Sequence, residues 1–264
     1  MNVLIIGRGR VGNALRRALE STDHDVGAAG RKPARSRIQA ADVVVLAVPD
    51  DAIEPVAERV APHLQASTTV LHCAGARGTE DLRACEARGA KVGVMHPLVS
   101  FPSKTSNPSL VGTTFTVSGS TGAIKTSRRL AAACGARVVV AETRDPAYHA
   151  GAALAANGAA ALAFVSVSIL VRLGFDKRAA ERAIGGLLQS VGENVQKLGV
   201  PDSLTGPIAR GEAATVAKHR SALRRVSRST LFAYDAVLPV IVRCAQAAGL
   251  PNAKATEILG STKR

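Results

Sequence analysis

The sequence predicts an α/β chain: a doubly wound parallel sheet domain followed by an all-helical carboxy-terminal domain. Three observations carry this. A strand-like run, Val3 to Ile6, opens the chain and enters glycines at 7, 9 and 12. Short apolar runs then alternate with helix-length segments through about residue 145, the pattern of parallel sheets. Beyond that point no strand signal returns, and Ala-rich helical stretches continue to the end. The domains are therefore expected at 1–145 and 146–264.

The first strand and its exit hold the most specific motif. Val3 to Ile6 are all apolar, as in a strand covered on both faces. Gly7, Gly9 and Gly12 follow on G-x-G-x-x-G spacing, and Asn13 to Glu20 continue as a helix. Gly7 permits the tight turn, Gly9 lets a pyrophosphate approach the backbone, and Gly12 lets helix and strand pack closely. The helix start offers free N–H groups and partial positive charge to phosphates. Strand, turn and helix together make this a Rossmann-type dinucleotide site, formed by Gly7, Arg8, Gly9, Arg10, Val11 and Gly12.

The second strand, Asp25 to Ala29, decides which dinucleotide is expected. A site for NAD usually places an acidic residue after this strand to hold the ribose 2′-OH. Here the strand is followed by Gly30, Arg31 and Lys32, with Arg35 and Arg37 beyond. A carboxylate would repel a 2′-phosphate, whereas a guanidinium grips one with two parallel hydrogen bonds. NADP(H) is the expected cofactor, with Arg31 and then Lys32 on the 2′-phosphate. The plainer alternative is a solvated basic loop.

The next strands are Val43 to Val48, Thr69 to His72, Lys91 to Met95, Thr113 to Ser118 and Arg137 to Ala141. Helices are expected from Asp51 to about Leu64 and around Ala123 to Ala133. In doubly wound sheets the ligand lies beyond the carboxyl ends of the strands. Val48 and Pro49 are thus expected at the cofactor, and Asp50, His72, Gly75, His96 and Pro97 near the reacting groups. Pro146 to about Leu173 reads as one long helix, buried on most sides because it is almost uncharged. Lys177 to Leu198, Thr215 to Ala236 and Val237 to Ala248 read as further helices. Val200 to Gly211, with Pro201, Gly206 and Pro207, reads as a loop.

Composition excludes several classes. The chain has 264 residues, 47% of them hydrophobic, enough for a sizeable core. Its net charge is +14, yet aromatics are 3% and Trp is absent, so nucleic acid is not the expected partner. The charge suits an anionic small-molecule substrate and cofactor. Cys73, Cys85, Cys134 and Cys244 form no metal-binding spacing, so no metal site is expected. No apolar run is judged long and uncharged enough to span a bilayer, and no cleavable leader is read at the start. A cytoplasmic protein without a membrane partner is expected.

Four blocks carry a family resemblance: His72-Cys73-Ala74-Gly75; His96-Pro97-Leu98-Val99-Ser100-Phe101; Tyr148-His149-Ala150 with Asn157; and Leu204 to Gly211. With the Rossmann-type start they resemble an oxidoreductase family whose carboxy-terminal half is a domain of unknown function, number 2520. The chain also resembles the wider lineage of hydroxyacid dehydrogenases, ketopantoate reductase, pyrroline-5-carboxylate reductase and prephenate dehydrogenase. The resemblance implies an NADP-linked oxidoreductase and a homodimer. In the hydroxyacid dehydrogenase and ketopantoate reductase group a catalytic Lys precedes an Asn by four residues. Asn157 matches that Asn, but the Lys position is Ala153. His96-Pro97-Leu98 resembles the His-Pro-Met element of prephenate dehydrogenases, whose His contacts the reacting hydroxyl.

Candidate roles follow, each beside a plainer alternative. His96 exchanges the proton that accompanies hydride transfer, or caps backbone groups in its loop. His149, two helical turns from Asn157, is the second proton donor, or a satisfied core histidine. Asn157 hydrogen-bonds substrate or nicotinamide, or a helix partner. His72 touches substrate or only positions its loop. Thr205 and Arg210 hold the substrate, with Arg210 clamping a carboxylate, or Arg210 pairs with Glu212 on the surface. The expected function is an NADP-dependent oxidoreductase reducing C=O or C=N in a small carboxylate-bearing metabolite. The alternatives are a ketopantoate-reductase-like or prephenate-dehydrogenase-like enzyme with His in place of Lys, and a non-catalytic NADP(H) sensor.

Overall fold

The computed structural model describes residues 1–102, 108–142 and 145–260. The first part contains β1 (Asn2–Ile6), α1 (Arg10–Glu20), β2 (Asp25–Ala29), α2 (Arg35–Gln39), β3 (Val43–Leu46) and α3 (Ile53–Val60). It continues with β4 (Thr69–His72), α4 (Arg83–Glu86), β5 (Lys91–Pro97), β6 (Thr114–Gly119), α5 (Thr121–Ala133) and β7 (Arg137–Val140). Then follow α6 (Pro146–Arg172), α7 (Lys177–Leu198), α8 (Ala213–Val226), α9 (Arg228–Ala247) and α10 (Asn252–Gly260).

The strands form one sheet in the order β2-β1-β3-β4-β5-β6-β7. Strands β1 to β5 run parallel, whereas β6 is antiparallel to β5 and β7 parallel to β6. This departs from a wholly parallel sheet. A parallel return needs a crossover, usually a helix, and the described part of the link from Pro97 to Thr114 holds none. Strand order reverses between β1 and β3, the switch point where open sheets bind ligands, and the glycine loop leaves β1 there.

Period-two alternation explains the all-apolar strands. Leu4, Ile6, Val44, Leu46 and Val70 enter one core with Ile53, Val56 and Val60 of α3. Val3, Ile5, Val43, Val45 and Met95 enter the other with Leu15 and Leu19 of α1 and Leu130 of α5. A half-buried strand would alternate with polar residues; these need none because helices cover both faces.

The chain divides into two compact units, 1–154 and 155–264. The division falls inside α6, later than the 145/146 boundary read from composition. The first turn of α6 stays with the sheet because Tyr148 bonds into it. The second unit has its own core: Ile208, Val216, Leu238, Val242, Leu250 and Ile258 among its members.

Three helical expectations need correction. No residue of α6 is buried, although low charge suggested burial on most sides. Composition reports what a helix can bury, not what covers it. The break expected near residue 236 lies at Ser227, whose Oγ caps α9 by accepting from the Thr230 N–H at 3.1 Å, while Pro239 is carried inside the helix. Finally, α6 and α9 are long and apolar enough to cross a membrane by length and composition. The contrary expectation underweighted Ala and Gly: 27 residues with one terminal Arg reach about 40 Å at about 1.5 Å per residue. The same test passes a helix that packs on protein.

Candidate active site

The loop between β1 and α1 meets the demands of a nucleotide cradle. Gly7 has φ +123°, and a Cβ there would run into the Ala47 carbonyl at the end of β3. A Cβ on Gly12 would strike the Gly7 carbonyl, so the α1 backbone lies directly on the turn. At Gly9 a Cβ would meet nothing within 4 Å. Two glycines are thus explained by packing and the third by space kept open above the backbone. Gly9 is the N-cap of α1 and provides no side chain to satisfy the first N–H groups. An uncapped helix start at a switch point fits a pyrophosphate.

Around the cradle, Arg8 is exposed and Val11 is half-buried against the core. Arg10 donates from Nη1 to the Phe101 carbonyl at 2.8 Å, which ties the glycine loop to the segment after β5. Val48 and Pro49 follow β3, with Val48 Cγ1 at 3.4 Å from a Cβ placed on Gly7. Arg31 and Lys32 follow β2 with exposed side chains, and the Arg31 carbonyl accepts from Arg59 Nη1 at 2.9 Å. Arg59 fixes the backbone and leaves the Arg31 guanidinium without a hydrogen-bond partner among the described residues.

His96 stands at the carboxyl end of β5 on the same sheet edge. Three strand spacings separate β1 from β5, about 14 Å at about 4.8 Å per spacing. Met95 points into one core, so His96 turns to the opposite face. Its antiparallel partner is Thr116 of β6, which shares that face. Tyr148 of α6 reaches both: its hydroxyl lies 2.7 Å from His96 Nδ1 and donates to Thr116 Oγ1 at 2.9 Å. Gly75, just after β4, lies under the ring, where a Cβ would stand 2.7 Å from Cε1 and Nε2. His149 stands edge-on, ring centroids 6.4 Å apart. Burial, then the neighbouring His149, push the His96 pKa down to about 4 against the opposing pull of Asp50. The ring is therefore neutral near pH 7.

Residues 113–237 match the family described as a domain of unknown function, DUF2520, and residues 2–140 match the nucleotide-binding domain of prephenate dehydrogenase. The chain belongs to the family of the prephenate dehydrogenase nucleotide-binding domain, and its later part matches DUF2520. No curated protein matches its sequence. Protein TM1727 from Thermotoga maritima superposes with a TM-score of 0.65 at 24% identity, over 93% of this chain and 99% of its own. Pyrroline carboxylate reductase from Plasmodium falciparum, solved with NADP bound, gives 0.62 at 15% identity over 95% and 98%. Pyrroline-5-carboxylate reductase from Coxiella burnetii gives 0.63 at 16% identity over 95% and 99%. These likenesses establish the fold.

The remaining candidates separate. His72 is fully buried, with Nε2 2.9 Å from the Gly78 carbonyl and Nδ1 accepting the Ala74 N–H at 3.2 Å. Both nitrogens hold the loop after β4, so its expected substrate contact is replaced by a positioning role. Arg210 pairs through Nε with Glu212 at 2.6 Å, the surface alternative, and its side chain is 62% exposed. Asn157 and Thr205 are exposed in the second unit. No group of three or more His, Cys, Asp or Glu suited to a metal occurs among the described residues. Cys73 and Cys85 are buried thiols pushed up to about 12. Thr116 is not singled out in the sequence, and Tyr148 enters there only within the Tyr148-His149-Ala150 block, with no role of its own. The adjacency of Tyr148 to His149 was visible, but the pairing of β6 with β5 that brings Thr116 to it was not.

Proposed function

We propose that the protein is an NADP-dependent oxidoreductase exchanging a hydride and a proton with a C=O or C=N bond of a small anionic metabolite. One observation carries the reading. Along a single sheet edge lie a glycine cradle kept open at Gly9 and a neutral, half-buried His96 whose Nε2 has no partner among the described residues. The dinucleotide would supply the hydride chemistry. The protein's own part is binding, orientation and proton handling.

In this reading the N–H groups at Gly9 to Gly12 take the pyrophosphate, and Arg8 lies beside it. Arg31 and Lys32 take the 2′-phosphate, while Val48 and Pro49 flank the bound nucleotide. His96 exchanges the proton at the substrate heteroatom, and His149 is the second group in reach of the same region. Asn157 and Thr205 are candidates for substrate oxygens. Arg210 keeps its Nη groups for a substrate carboxylate while its Nε stays on Glu212. A prephenate dehydrogenase-like chemistry is favoured over a ketopantoate reductase-like one. Ala153 occupies the Lys position, whereas His96 keeps the strand-end place of the His-Pro element.

We further propose that the protein works in the cytoplasm as a homodimer. On α6 and α7, Phe164 is 75% exposed, Leu187 60% and Leu198 59%, and exposed apolar side chains grouped in this way favour an interface. A second copy would cover it.

The test is purified protein offered NADPH with 2-oxo acids and cyclic imines, and NADP⁺ with the matching hydroxy and amino acids, read as nicotinamide absorbance. Turnover lost in His96→Ala supports the assignment. Saturable NADPH binding with no turnover across the panel would contradict catalysis and leave a nucleotide sensor.

A further inference from the structure

We infer that Tyr148 is a positioning residue that fixes His96 as the Nδ1–H tautomer, leaving Nε2 as a bare proton acceptor. The inference deepens the proposed function and rests on it only for the source of the proton, not for the geometry.

A phenol has one proton to donate. Tyr148 gives it to Thr116 Oγ1 at 2.9 Å, so it can only accept at its 2.7 Å contact with His96 Nδ1. Nδ1 must therefore carry the hydrogen, and a neutral ring then has its lone pair on Nε2. The fold holds all three groups in place. Thr116 is the cross-strand partner of His96 in the β5–β6 ladder, so neither can move without breaking register. Tyr148 sits in the first turn of α6, anchored by its N–H to the Asp145 carbonyl at 3.0 Å. Gly75 lies against the ring beside Cε1 and Nε2, where a side chain would crowd a half-turn that puts Cδ2 in the place of Nδ1.

The charged and titratable groups around the ring are His149 from α6, Asp50 after β3 and His72 from β4. Burial and the two histidines favour the neutral ring, and Asp50 alone opposes them. With the hydrogen on Nδ1, the lone pair on Nε2 can take a proton and that nitrogen has none to give, while the burial that keeps the ring neutral also makes it a weak base. The matching direction is oxidation of a hydroxyl. The O–H proton passes to Nε2, the adjacent C–H pair leaves as hydride to oxidised nicotinamide nucleotide, and a carbonyl forms. Two electrons leave with the hydride and one proton stays on His96.

The test is nitrogen NMR on the full chain labelled at histidine, without any ligand, near pH 7. Wild type is expected to show a protonated Nδ1 and a bare Nε2 for His96. Thr116→Val removes the acceptor, so the Tyr148 proton turns to Nδ1 and His96 switches to Nε2–H. Thr116→Ser keeps the wild-type tautomer. Tyr148→Phe loses the Nδ1–H preference, and on any substrate kcat falls roughly tenfold to a hundredfold with KM little changed. Should Tyr148→Phe fail to fold, the Thr116 pair decides alone. A wild-type His96 protonated at Nε2, or a tautomer indifferent to Thr116→Val, overturns the inference. Neither result depends on finding a substrate, so failure here is distinct from failure of the oxidoreductase reading.

Discussion

Gly75 lies flat against the ring of His96: a methyl group on its α-carbon would stand 2.7 Å from both Cε1 and Nε2. Real carbon contacts do not come so close, so the ring or the loop must give way. Gly75→Ala is expected to destabilise the chain by about 1–3 kcal/mol. It should also shift the His96 ring resonances while leaving nucleotide affinity intact. Urea unfolding and nucleotide titration check this, and an unchanged midpoint would show that the ring is not held there.

The glycine loop gives a pair of opposite expectations. Gly9→Ala meets open space at φ −81° and should leave the melting temperature unchanged while weakening NADPH binding. Gly12→Ala strikes the Gly7 carbonyl and should lower the melting temperature itself. Thermal melting with and without NADPH separates the two. Equal destabilisation by both would contradict the assignment of Gly9 to the ligand.

Stability should depend on pH in a stated direction. His96 titrates near 4 when folded and His72 is also lowered, each from about 6.5. Between those values the unfolded chain binds more protons, so stability rises with pH. The contribution is complete above about pH 6.5 and is lost as pH falls through about 4. His96→Gln should flatten the melting-temperature slope over that window relative to wild type. Parallel slopes for the two proteins would contradict the depressed pKa.

In the helical unit, Arg220 donates from Nε and Nη2 to the two oxygens of Asp235 at 2.7 and 2.9 Å, with its side chain 8% exposed. Removing the carboxylate takes away two charge-assisted hydrogen bonds made at a buried side chain. Asp235→Ala is expected to cost about 3 kcal/mol. Urea unfolding yielding under about 1 kcal/mol, the range of a surface pair, would contradict it.

How much of this was legible depends on range. The cradle is local: Gly7, Gly9 and Gly12 do their work within one turn, and each role follows from spacing. The strands were readable because Val43 to Leu46 and their like must be apolar on both faces. His96 was readable as a strand-end histidine. Its partners were not, since Thr116 and Tyr148 are 32 residues apart and Tyr148 and His96 52 apart. They meet only through an antiparallel pairing that alternation does not announce. The pairing of Arg210 with Glu212 was visible as an option, but exposure decides such cases and composition does not report it. The same gap explains why α6 was expected to be covered.

Nucleotide preference tests the role of Arg31 and the glycine loop most directly. Titration of the wild-type chain with NADPH and NADH should show saturable binding that favours NADPH. In Arg31→Ala, NADPH affinity should fall about tenfold to a hundredfold while NADH affinity barely changes, as the loss of a charge-assisted contact to a 2′-phosphate requires. No saturable binding of either nucleotide, or equal losses for both in Arg31→Ala, would contradict the central claim.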